Sequence, residues 1–541
     1  MEYKRIGRFM GAVVCAGALI SCSHAPRTEV YADGLQRSFP EAQETASEGI
    51  LSFLEATEAN NIELHSFMLL RHGKVISEAW WYPYKATTRQ VMHSVSKTFT
   101  ATAVGFAVDE KLLATDDKVI SFFPDALPDT VSPFLQEMRI RDLLTMAAGF
   151  ERTVEFTTDN PDWVKAFLAI PVVEQPGSRF VYNSYATYML SAIIQKVTGR
   201  TVQDYLTPRL LEPLGITDVQ WEKDGNGITV GGWGMRIKTS DMAKLGQFYL
   251  NRGKWNGEQL LSEAWIAEAS SPHIFQQPDR TAEENAGDFF AQGYGYQVWM
   301  CPDGAYRADG ANAQLVVVLP AKDAVIVTTS HTSQAGKLME LMWTHLLPRM
   351  YDKPISDDAN GRAELSGKLS SLQLPSPFAS SQDTTYPRNT TRAYQLEPNG
   401  QGFRSASFRF DKNGDCLLTL AGETASCDLF FGQERWNNGE TEKAGAYYLV
   451  KRRNPAGMAP FAVSGFSAWT QTEQLSLRLL YLNDSQHETY VCDFKGDRIT
   501  ITCTNNVTGD VVVLRGSSDH SDDLTALTTA LSVLAIGLLD D

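Results

Sequence analysis

The sequence predicts an α+β domain followed by a smaller all-β domain, and three observations support this. Strand-like runs near both ends of the first 350 or so residues enclose a series of helical segments. This order is typical of a domain whose sheet joins its two ends. The chain has 541 residues, which is too long for one ordinary hydrophobic core. Beyond about residue 352 the composition changes, and short runs of alternating apolar and polar residues follow.

Local patterns predict the elements of the first domain, which we assign to residues 46–351. Two β-rich runs, 64–71 and 75–81, flank the hairpin signal His72-Gly73-Lys74. Further along, apolar residues recur at helical spacing, and glycines mark helix ends. The remaining predicted elements are helices over 94–113, 140–148, 184–197 and 239–251, strands over 315–319 and 324–329, and a helix over 334–350.

The rest of the chain divides by composition. We expect a polar tether over 22–45 and a Pro/Ser-rich linker over 352–385. The β-rich domain follows over 386–516, with strand-like runs such as 405–410, 447–451, 475–481 and 498–503. An apolar tail occupies 517–541. Its uncharged part, 524–539, is too short to span a membrane and is expected to form a packed or dangling helix.

Residues 1–21 have the form of a targeting segment. Lys4, Arg5 and Arg8 precede an apolar stretch over 9–20, which is too short to span a bilayer. The stretch ends in Leu19-Ile20-Ser21-Cys22, which resembles the lipobox of bacterial lipoproteins. That resemblance implies a lipid on Cys22 and an exported, membrane-anchored protein of the bacterial cell envelope, facing the periplasm or the cell surface. The alternative is a secretory signal with an incidental cysteine.

Charge and cysteine content narrow the possible partners. The net charge of −16 repels phosphate backbones, so nucleic acid is not an expected partner. No Cys/His cluster has zinc spacing, and we expect no metal and no cofactor. Export to an oxidising compartment makes bridges across two hairpins plausible, although four cysteines allow three connectivities and free thiols are an equal alternative. The cysteines concerned are Cys416 with Cys427 and Cys492 with Cys503, which leaves Cys301 over.

The sharpest chemical pattern is Ser94-Val95-Ser96-Lys97 at the start of a predicted helix. A serine hydroxyl needs a base to become a nucleophile. Lys97 lies three residues on, so it falls on the same helix face as Ser94, and burial would lower its pKa and make the neutral amine accessible. The helix N-terminus also directs N–H groups at developing negative charge.

The blocks around this pattern add specificity. In order they are His93 to Thr100, Leu113-Ala114-Thr115-Asp116-Asp117, Ile140 to Gly149, and Pro176 to Ser184. Together they resemble the serine β-lactamase and penicillin-binding-protein superfamily over about residues 60–350. The likeness is greatest to class C β-lactamase-like enzymes, including esterases and 6-aminohexanoate-dimer hydrolases. It implies a β-lactamase-like domain with an antiparallel sheet flanked by helices and a helical subdomain, and Ser94 as nucleophile.

The second motif of that family, Tyr-x-Asn, matches Tyr182-Asn183-Ser184. The resemblance implies that Tyr182 shares general acid and base duty with Lys97, and that Ser184 positions substrate. Serine stands where the family has asparagine, so the side chain is shorter. Two alternatives remain open: Tyr182 as a buried core residue, and Asn183 in the polar role.

The third motif, usually Lys-Thr-Gly, aligns with Ala308-Asp309-Gly310. The resemblance implies an oxyanion hole made by the N–H groups of Ser94 and Ala311, with Gly310 allowing close approach of the substrate. The missing lysine makes penicillin hydrolysis doubtful. Asp309 would favour a neutral or cationic substrate if it faces the cleft, although a solvated turn aspartate has the same sequence.

These patterns predict a serine hydrolase that cleaves a small ester, amide or peptide through an acyl-enzyme on Ser94. Two alternatives remain: a non-catalytic envelope lipoprotein that binds peptidoglycan or a protein partner, and a true β-lactamase. We expect His93 and Trp299 to pack in the core, and a tight loop near the cleft at Gly231-Gly232-Trp233-Gly234.

Overall fold

The computed structural model describes residues 32–154, 162–381, 387–423, 426–443, 445, 460–484 and 486–518. The predicted signal peptide, the lipid site Cys22, the strand-like run 447–451 and the tail from 519 onward lie outside these described residues. None of the helices in the described ranges combines the length and apolar character needed to cross a membrane.

The first domain is built on a seven-stranded sheet that joins the beginning and the end of the domain, as predicted. Strand Leu64–Arg71 lies beside strand Ala324–Ser330 at its centre. Every residue of Leu64–Arg71 is buried, because helices cover both faces of the sheet. The strands lie in the order Gln36–Arg37, Lys74–Trp80, Leu64–Arg71, Ala324–Ser330, Gln314–Leu319, Tyr306–Gly310 and Trp299–Met300.

Two groups of helices cover the sheet. One face packs against helices Ser47–Ala59 and Ala335–Leu341, and the other against helices Ser96–Asp109 and Thr239–Leu250. A smaller sheet of Gln90–Val91, Gln220–Trp221 and Met235–Ile237 lies beside the nucleophile turn. The other elements are helices Pro133–Glu137, Ile140–Leu144, Trp163–Leu168, Ser184–Thr198, Val202–Leu206, Glu263–Ala269, Ala282–Asn285 and Ala359–Ser370, and the hairpin Lys254–Trp255 with Glu258–Gln259.

Two segments assigned to tether and linker contain regular structure. Residues Gln36–Arg37 of the predicted tether pair in parallel with Lys74–Val75 at the sheet edge. The predicted linker contains helix Ala359–Ser370, which packs against Ser47–Ala59. Only Leu365 of that helix is buried, so its sequence has too weak an apolar periodicity to reveal a helix.

The C-terminal domain is a closed β-barrel. Its sheet is antiparallel except where Gly432–Gln433 pairs in parallel with Phe466–Ser467 and closes the ring. Alternate side chains fill the interior, as in Cys416–Gly422, where residues 416, 418 and 420 are buried. The strands in spatial order are Ser426–Gln433, Cys416–Gly422, Phe403–Phe410, Thr390–Leu396, Val511–Ser517, Arg498–Asn505, His487–Lys495, Gln474–Tyr481, Phe461–Gln471 and Asn437–Thr441.

The cysteines of the barrel are free thiols, so of the two alternatives that the sequence left open, hairpin bridges or free thiols, the structure has the second. Strand register explains this. Cys416 lies opposite Phe431, whereas Cys427 lies opposite Leu420, four residues further along the strand from Cys416. Four residues of strand span about 13 Å, well beyond the reach of a disulfide. Cys503 lies opposite Tyr490, two residues from Cys492.

Candidate active site

The candidate nucleophile Ser94 lies in a 3-10 turn, His93–Val95, that leads into helix Ser96–Asp109. The strand before the turn is fixed by the Met92 N–H, which donates to the Met235 carbonyl over 2.8 Å. The Ser96 hydroxyl donates to the His93 carbonyl over 2.6 Å and tightens the turn. His93 itself has φ of 46°, a left-handed conformation that is uncommon outside glycine. The chain is therefore bent sharply where it presents Ser94 to the cleft.

Lys97 lies one helical turn beyond Ser94 and is 1% exposed. Its Nζ donates to the Ser94 Oγ over 3.0 Å, to the Ser184 Oγ over 2.9 Å and to the Gly232 carbonyl over 2.6 Å. These three acceptors account for the three hydrogens of the ammonium group. Burial nevertheless lowers the pKa of Lys97 to about 7, because the charged form is poorly solvated there. A substantial fraction of Lys97 is therefore neutral near pH 7.

Tyr182 completes the cluster. Its hydroxyl shares a hydrogen bond with the Ser94 side chain, and the Lys97 Nζ lies 5.1 Å from its ring centroid. Burial raises the pKa of Tyr182 and the Asp309 carboxylate adds to that rise, while the bond to Ser94 opposes it. Tyr182 is therefore a neutral phenol at physiological pH. The structure brings Ser94, Lys97 and Tyr182 together, and Tyr182 is not an isolated core residue.

The structure decides between Asn183 and Ser184. The Asn183 side chain caps helix Ser184–Thr198 by accepting the Tyr185 N–H over 2.9 Å, and it is buried. Ser184, one residue on, directs its hydroxyl at the Lys97 Nζ. Ser184 thus contacts the amine, and its predicted role toward substrate stays a prediction.

The end of strand Tyr306–Gly310 runs beside the Ser94 main chain. A Cβ added at Gly310 would overlap the Met92 carbonyl oxygen and lie 3.3 Å from the Ser94 nitrogen, so only glycine fits. Ala311 follows directly. Beyond it, Asn312 and Ala313 have φ of 60° and 61°, an uncommon pair for residues with a Cβ. The strained turn therefore sits next to the segment expected to supply the Ala311 N–H.

Asp309 does not stand alone beside the cleft. The Nε of Arg307, a fully buried residue, donates to the Asp309 carboxylate over 2.8 Å. Burial raises the pKa of Asp309, and Arg307 opposes that shift. The ion pair balances the carboxylate charge, which weakens the expectation that Asp309 attracts a cationic substrate.

Sequence reasoning missed an aromatic wall beside Tyr182. Trp299, expected to be a core residue, is partly exposed, and its ring centroid lies 5.7 Å from that of Tyr182. The ring centroid of Phe180 lies 5.7 Å from that of Trp299. The ring centroid of Phe290, an exposed residue, lies at the same distance from that of Trp299. The spacing of Phe180 and Tyr182, two residues apart, is the signal that indicates a shared side of an extended segment.

The loop Gly231 to Gly234 is close to the cleft, as expected. Gly231 and Gly234 have φ of 71° and 79°. The Gly232 carbonyl is the third acceptor of Lys97, a partner that no side-chain motif could reveal. His93 is buried, and burial lowers its pKa to about 3, so it is neutral at physiological pH.

A cavity of about 630 Å³ lies between residues 150–154 and 170–173. Thr153, on its wall, donates to the Tyr182 carbonyl over 2.8 Å, which places the cavity next to the Tyr182 segment. Within the described ranges, no three His, Cys, Asp or Glu side chains are grouped as metal ligands would be.

The fold and the site together define a hydrolase with a β-lactamase-like fold. The beta-lactamase family model matches residues 56–348, more than half of the chain. The chain belongs to the beta-lactamase family.

Individual relatives are distant. The 6-aminohexanoate-dimer hydrolase of Paenarthrobacter ureafaciens is 22% identical over 305 residues, 51% of this chain and 77% of that protein. The solved structure of EstCE1, a hydrolase with promiscuous acyltransferase activity, is 17% identical with a TM-score of 0.47, over 56% of this chain and 98% of that one. The octameric penicillin-binding protein homologue from Pyrococcus abyssi is 16% identical with a TM-score of 0.45, over 86% of this chain and 99% of that one.

Proposed function

We propose that this protein is a serine hydrolase that cleaves an ester or amide bond through an acyl-enzyme on Ser94. The observation that carries the proposal is the 3.0 Å contact between the Lys97 Nζ and the Ser94 Oγ, with the Tyr182 hydroxyl bonded to the same serine. A buried amine with a pKa of about 7 is suited to accept a proton near neutral pH.

In the acylation step the Ser94 Oγ attacks the substrate carbonyl carbon, and its proton passes to the neutral Lys97 amine. The carbonyl oxygen becomes an oxyanion, which the N–H groups of Ser94 and Ala311 stabilise. When the intermediate collapses, the bond to the leaving group breaks. Tyr182 hands a proton to the departing oxygen or nitrogen and regains one from Lys97. We assign Lys97 rather than Tyr182 as the base, because the raised pKa of Tyr182 keeps that phenol protonated.

In the deacylation step a water molecule takes the place of the leaving group. Its proton passes to the Lys97 and Tyr182 pair as its oxygen attacks the acyl carbon. The ester bond to Ser94 then breaks, the serine oxygen regains a proton, and a carboxylic acid leaves.

The walls of the cleft favour a substrate without a carboxylate next to the scissile bond. Ala308 stands where the family has a lysine, and the charge of Asp309 is balanced by Arg307. The partly exposed Trp299 and Phe180 present apolar surface beside Tyr182. We propose small, uncharged esters or amides as substrates, and expect slow or absent turnover of the β-lactam nitrocefin.

A fluorophosphonate probe tests the nucleophile. Intact-mass analysis should show one adduct per chain, mapped to Ser94, and no adduct on the Ser94→Ala variant. p-Nitrophenyl esters and N-acylated D-amino-acid amides, which are uncharged, should then be hydrolysed by the wild type alone. A wild type that takes no adduct and hydrolyses none of these compounds would instead support the non-catalytic binding protein. Rapid nitrocefin turnover would support a true β-lactamase.

We further propose that the protein is exported and anchored to an envelope membrane through a lipid on Cys22. The lipobox-like sequence before Cys22 supports this. Diacylation gives stable anchoring where one chain would not. Metabolic labelling with an alkyne fatty acid should mark the wild type and not Cys22→Ala, and the variant should leave the membrane fraction. Equal labelling of both would contradict the anchor.

A further inference from the structure

One hairpin of the barrel contacts the catalytic domain at Arg89 and Arg236, close to the nucleophile turn. It joins strands Gln474–Tyr481 and His487–Lys495, and its turn carries Asn483 and Asp484. Asp484 is only 6% exposed, although it belongs to a hairpin turn, where carboxylates usually face water. Its burial is explained by what it meets in the other domain.

Asp484 forms an ion pair with Arg236 of the catalytic domain. The Arg236 Nη2 lies 3.3 Å from the Asp484 carboxylate, and its Nη1 lies 2.9 Å from the Glu222 carboxylate. All three side chains are less than a tenth exposed. One guanidinium thus joins a carboxylate of its own domain to a carboxylate of the barrel.

Arg236 lies on the strand that supports both the nucleophile and its base. Arg236 pairs with Val91 of the neighbouring strand Gln90–Val91, and Val91 lies three residues before Ser94. Four residues before Arg236, the Gly232 carbonyl accepts the Lys97 Nζ. The barrel also contacts the partner strand, because the Asn483 Nδ2 donates to the Arg89 carbonyl over 2.7 Å.

The same hairpin contacts the opposite side of the site. The ring of His487 lies 6.2 Å from that of His331, which follows strand Ala324–Ser330. Ser330, next to His331, donates its hydroxyl to the carbonyls of Asn312 and Ala313, which follow Ala311. The hairpin therefore touches the supports of both the nucleophile and the expected oxyanion-binding segment.

We propose that the barrel is a positioning domain for the catalytic site. Asp484, through Arg236, holds strand Met235–Ile237 in place, and with it both the paired strand that precedes Ser94 and the nearby Gly232 carbonyl that accepts from Lys97. This inference rests on the proposed serine hydrolase activity for its kinetic consequence, and on geometry alone for its structural one. Asp484 and Arg236 are positioning residues, since neither touches the reacting atoms.

The physical reason is the cost of misplacing reactive groups. A displacement of about 1 Å at a reacting centre costs about a hundredfold in rate. The strand Gln90–Val91 has only two residues and depends on its neighbours for a fixed position. A buried ion pair to a second domain restricts its neighbour, strand Met235–Ile237, more than a surface contact would, because neither partner can be exchanged for water without cost.

Asp484→Asn is the informative variant. Arg236 keeps its pair with Glu222, so no uncompensated buried cation remains and the chain should still fold. Asp484→Glu restores the charge. Asp415→Asn is the control for loss of an ion pair within the barrel, because Asp415 also pairs with an arginine, the more exposed Arg435, and all its contacts lie within the barrel. Asn483→Ala removes the second contact independently.

Two measurements on the full chain test the proposal. The first is hydrogen exchange by mass spectrometry, which needs no activity. Peptides covering 89–97 and 231–237 should exchange faster in Asp484→Asn and Asn483→Ala, and at the wild-type rate in Asp415→Asn. The second is the rate of fluorophosphonate labelling and of p-nitrophenyl ester hydrolysis. In Asp484→Asn, kcat should fall about tenfold or more with KM little changed, and Asp484→Glu should recover part of the loss.

The outcomes separate this inference from the proposed function. Unchanged exchange of these peptides in Asp484→Asn, or faster exchange confined to the barrel, would overturn the positioning role. An equal loss of kcat in Asp415→Asn would reduce the effect to general instability and overturn it as well. If the wild type takes no label, the serine hydrolase proposal fails, and the exchange experiment alone decides whether the barrel supports this strand.

Discussion

The Nζ of Lys97 and the Oγ of Ser94 lie 3.0 Å apart, and the amine is almost completely shielded from water. Two effects act in opposite directions on the protonation of the Lys97 amine. The ammonium satisfies three acceptors, yet its burial lowers its pKa to about 7. The site can therefore be converted between a resting, protonated form and a form able to accept a proton at little cost in free energy near neutral pH.

Replacing Lys97 by arginine should greatly reduce catalysis while keeping a positive charge. Arginine stays protonated at all accessible pH values, so it cannot accept the Ser94 proton. We expect kcat/KM for a p-nitrophenyl ester to fall about 10²- to 10⁴-fold. Lys244→Arg is the control. Lys244 is another buried lysine; it pairs with Asp241, and both residues lie on helix Thr239–Leu250, not on the helix of Lys97. Equal losses in both variants would point to packing rather than proton transfer.

The pH profile should report the Lys97 pKa. Below about pH 7 the amine is protonated and cannot act as a base, so kcat/KM should fall about tenfold for each pH unit. Above pH 7 it should reach a plateau. Steady-state rates between pH 5 and 9 check this. A profile that is flat from pH 5 to 7 would contradict the assignment of Lys97 as base.

Tyr182→Phe should separate proton transfer from packing. The ring and its contact with Trp299 remain, while the hydroxyl bonded to Ser94 is lost. We expect kcat to fall about 10²- to 10³-fold with a small change in melting temperature. In Tyr249→Phe, which removes the buried hydroxyl bonded to Thr102 over 2.8 Å, activity should be nearly unchanged. A Tyr182→Phe enzyme with wild-type kcat would remove this tyrosine from the mechanism.

Gly310→Ala should impair the site by steric overlap. The added Cβ would meet the Met92 carbonyl and crowd the Ser94 N–H. Labelling of Ser94 should become at least tenfold slower, because an oxyanion-hole donor is worth about 10²–10³ in kcat. Gly225→Ala has open space around its new Cβ and should label normally. Normal labelling of both variants would argue against an oxyanion hole beside Gly310.

Protonation of His487, which lies at the domain interface, should lower the folding stability in acid. Burial lowers the pKa of His487 to about 4, and Arg478 and His331 act in the same direction while Glu63 opposes them. The unfolded side chain titrates near 6.5, so between pH 6.5 and 4 the unfolded state binds more protons. Folding stability is therefore lost as the pH falls through this window, by roughly 2–3 kcal/mol for this group. Thermal melting of His487→Asn should depend less on pH between 7 and 4.5 than melting of the wild type.

The parts of the site that the sequence predicted are those set by local geometry or by a motif. Ser94 and Lys97 share a helix face because they are three residues apart, which needs no tertiary information. Tyr182 came from the family resemblance, and the structure brings it to Ser94. Gly232 could not be found in the same way, because its contribution is a main-chain carbonyl that depends on how a distant loop folds.

In the fold, too, local patterns predict some features, and others depend on contacts between distant segments. The joined ends of the first domain follow from the order of strands and helices. The closure of the barrel depends on a parallel pairing between Gly432–Gln433 and Phe466–Ser467, whose strands are not consecutive, so no hairpin signal marks it. From the sequence alone, Asp484 would be expected to be an ordinary, exposed turn residue. Only its position against Arg236 shows that it is buried.

The helix Ala359–Ser370 and the segment after it alter where the molecule can be divided. Main-chain hydrogen bonds join Tyr82 to Leu372 and Leu374, and the side chains of both leucines belong to an apolar cluster formed by residues of the first domain and of the barrel. A gene truncated near residue 351 would encode a fragment with an apolar surface exposed to solvent, and that fragment would be prone to aggregation. Engineered versions of the catalytic domain, or chimaeras with another C-terminal domain, should therefore retain the chain through Leu374.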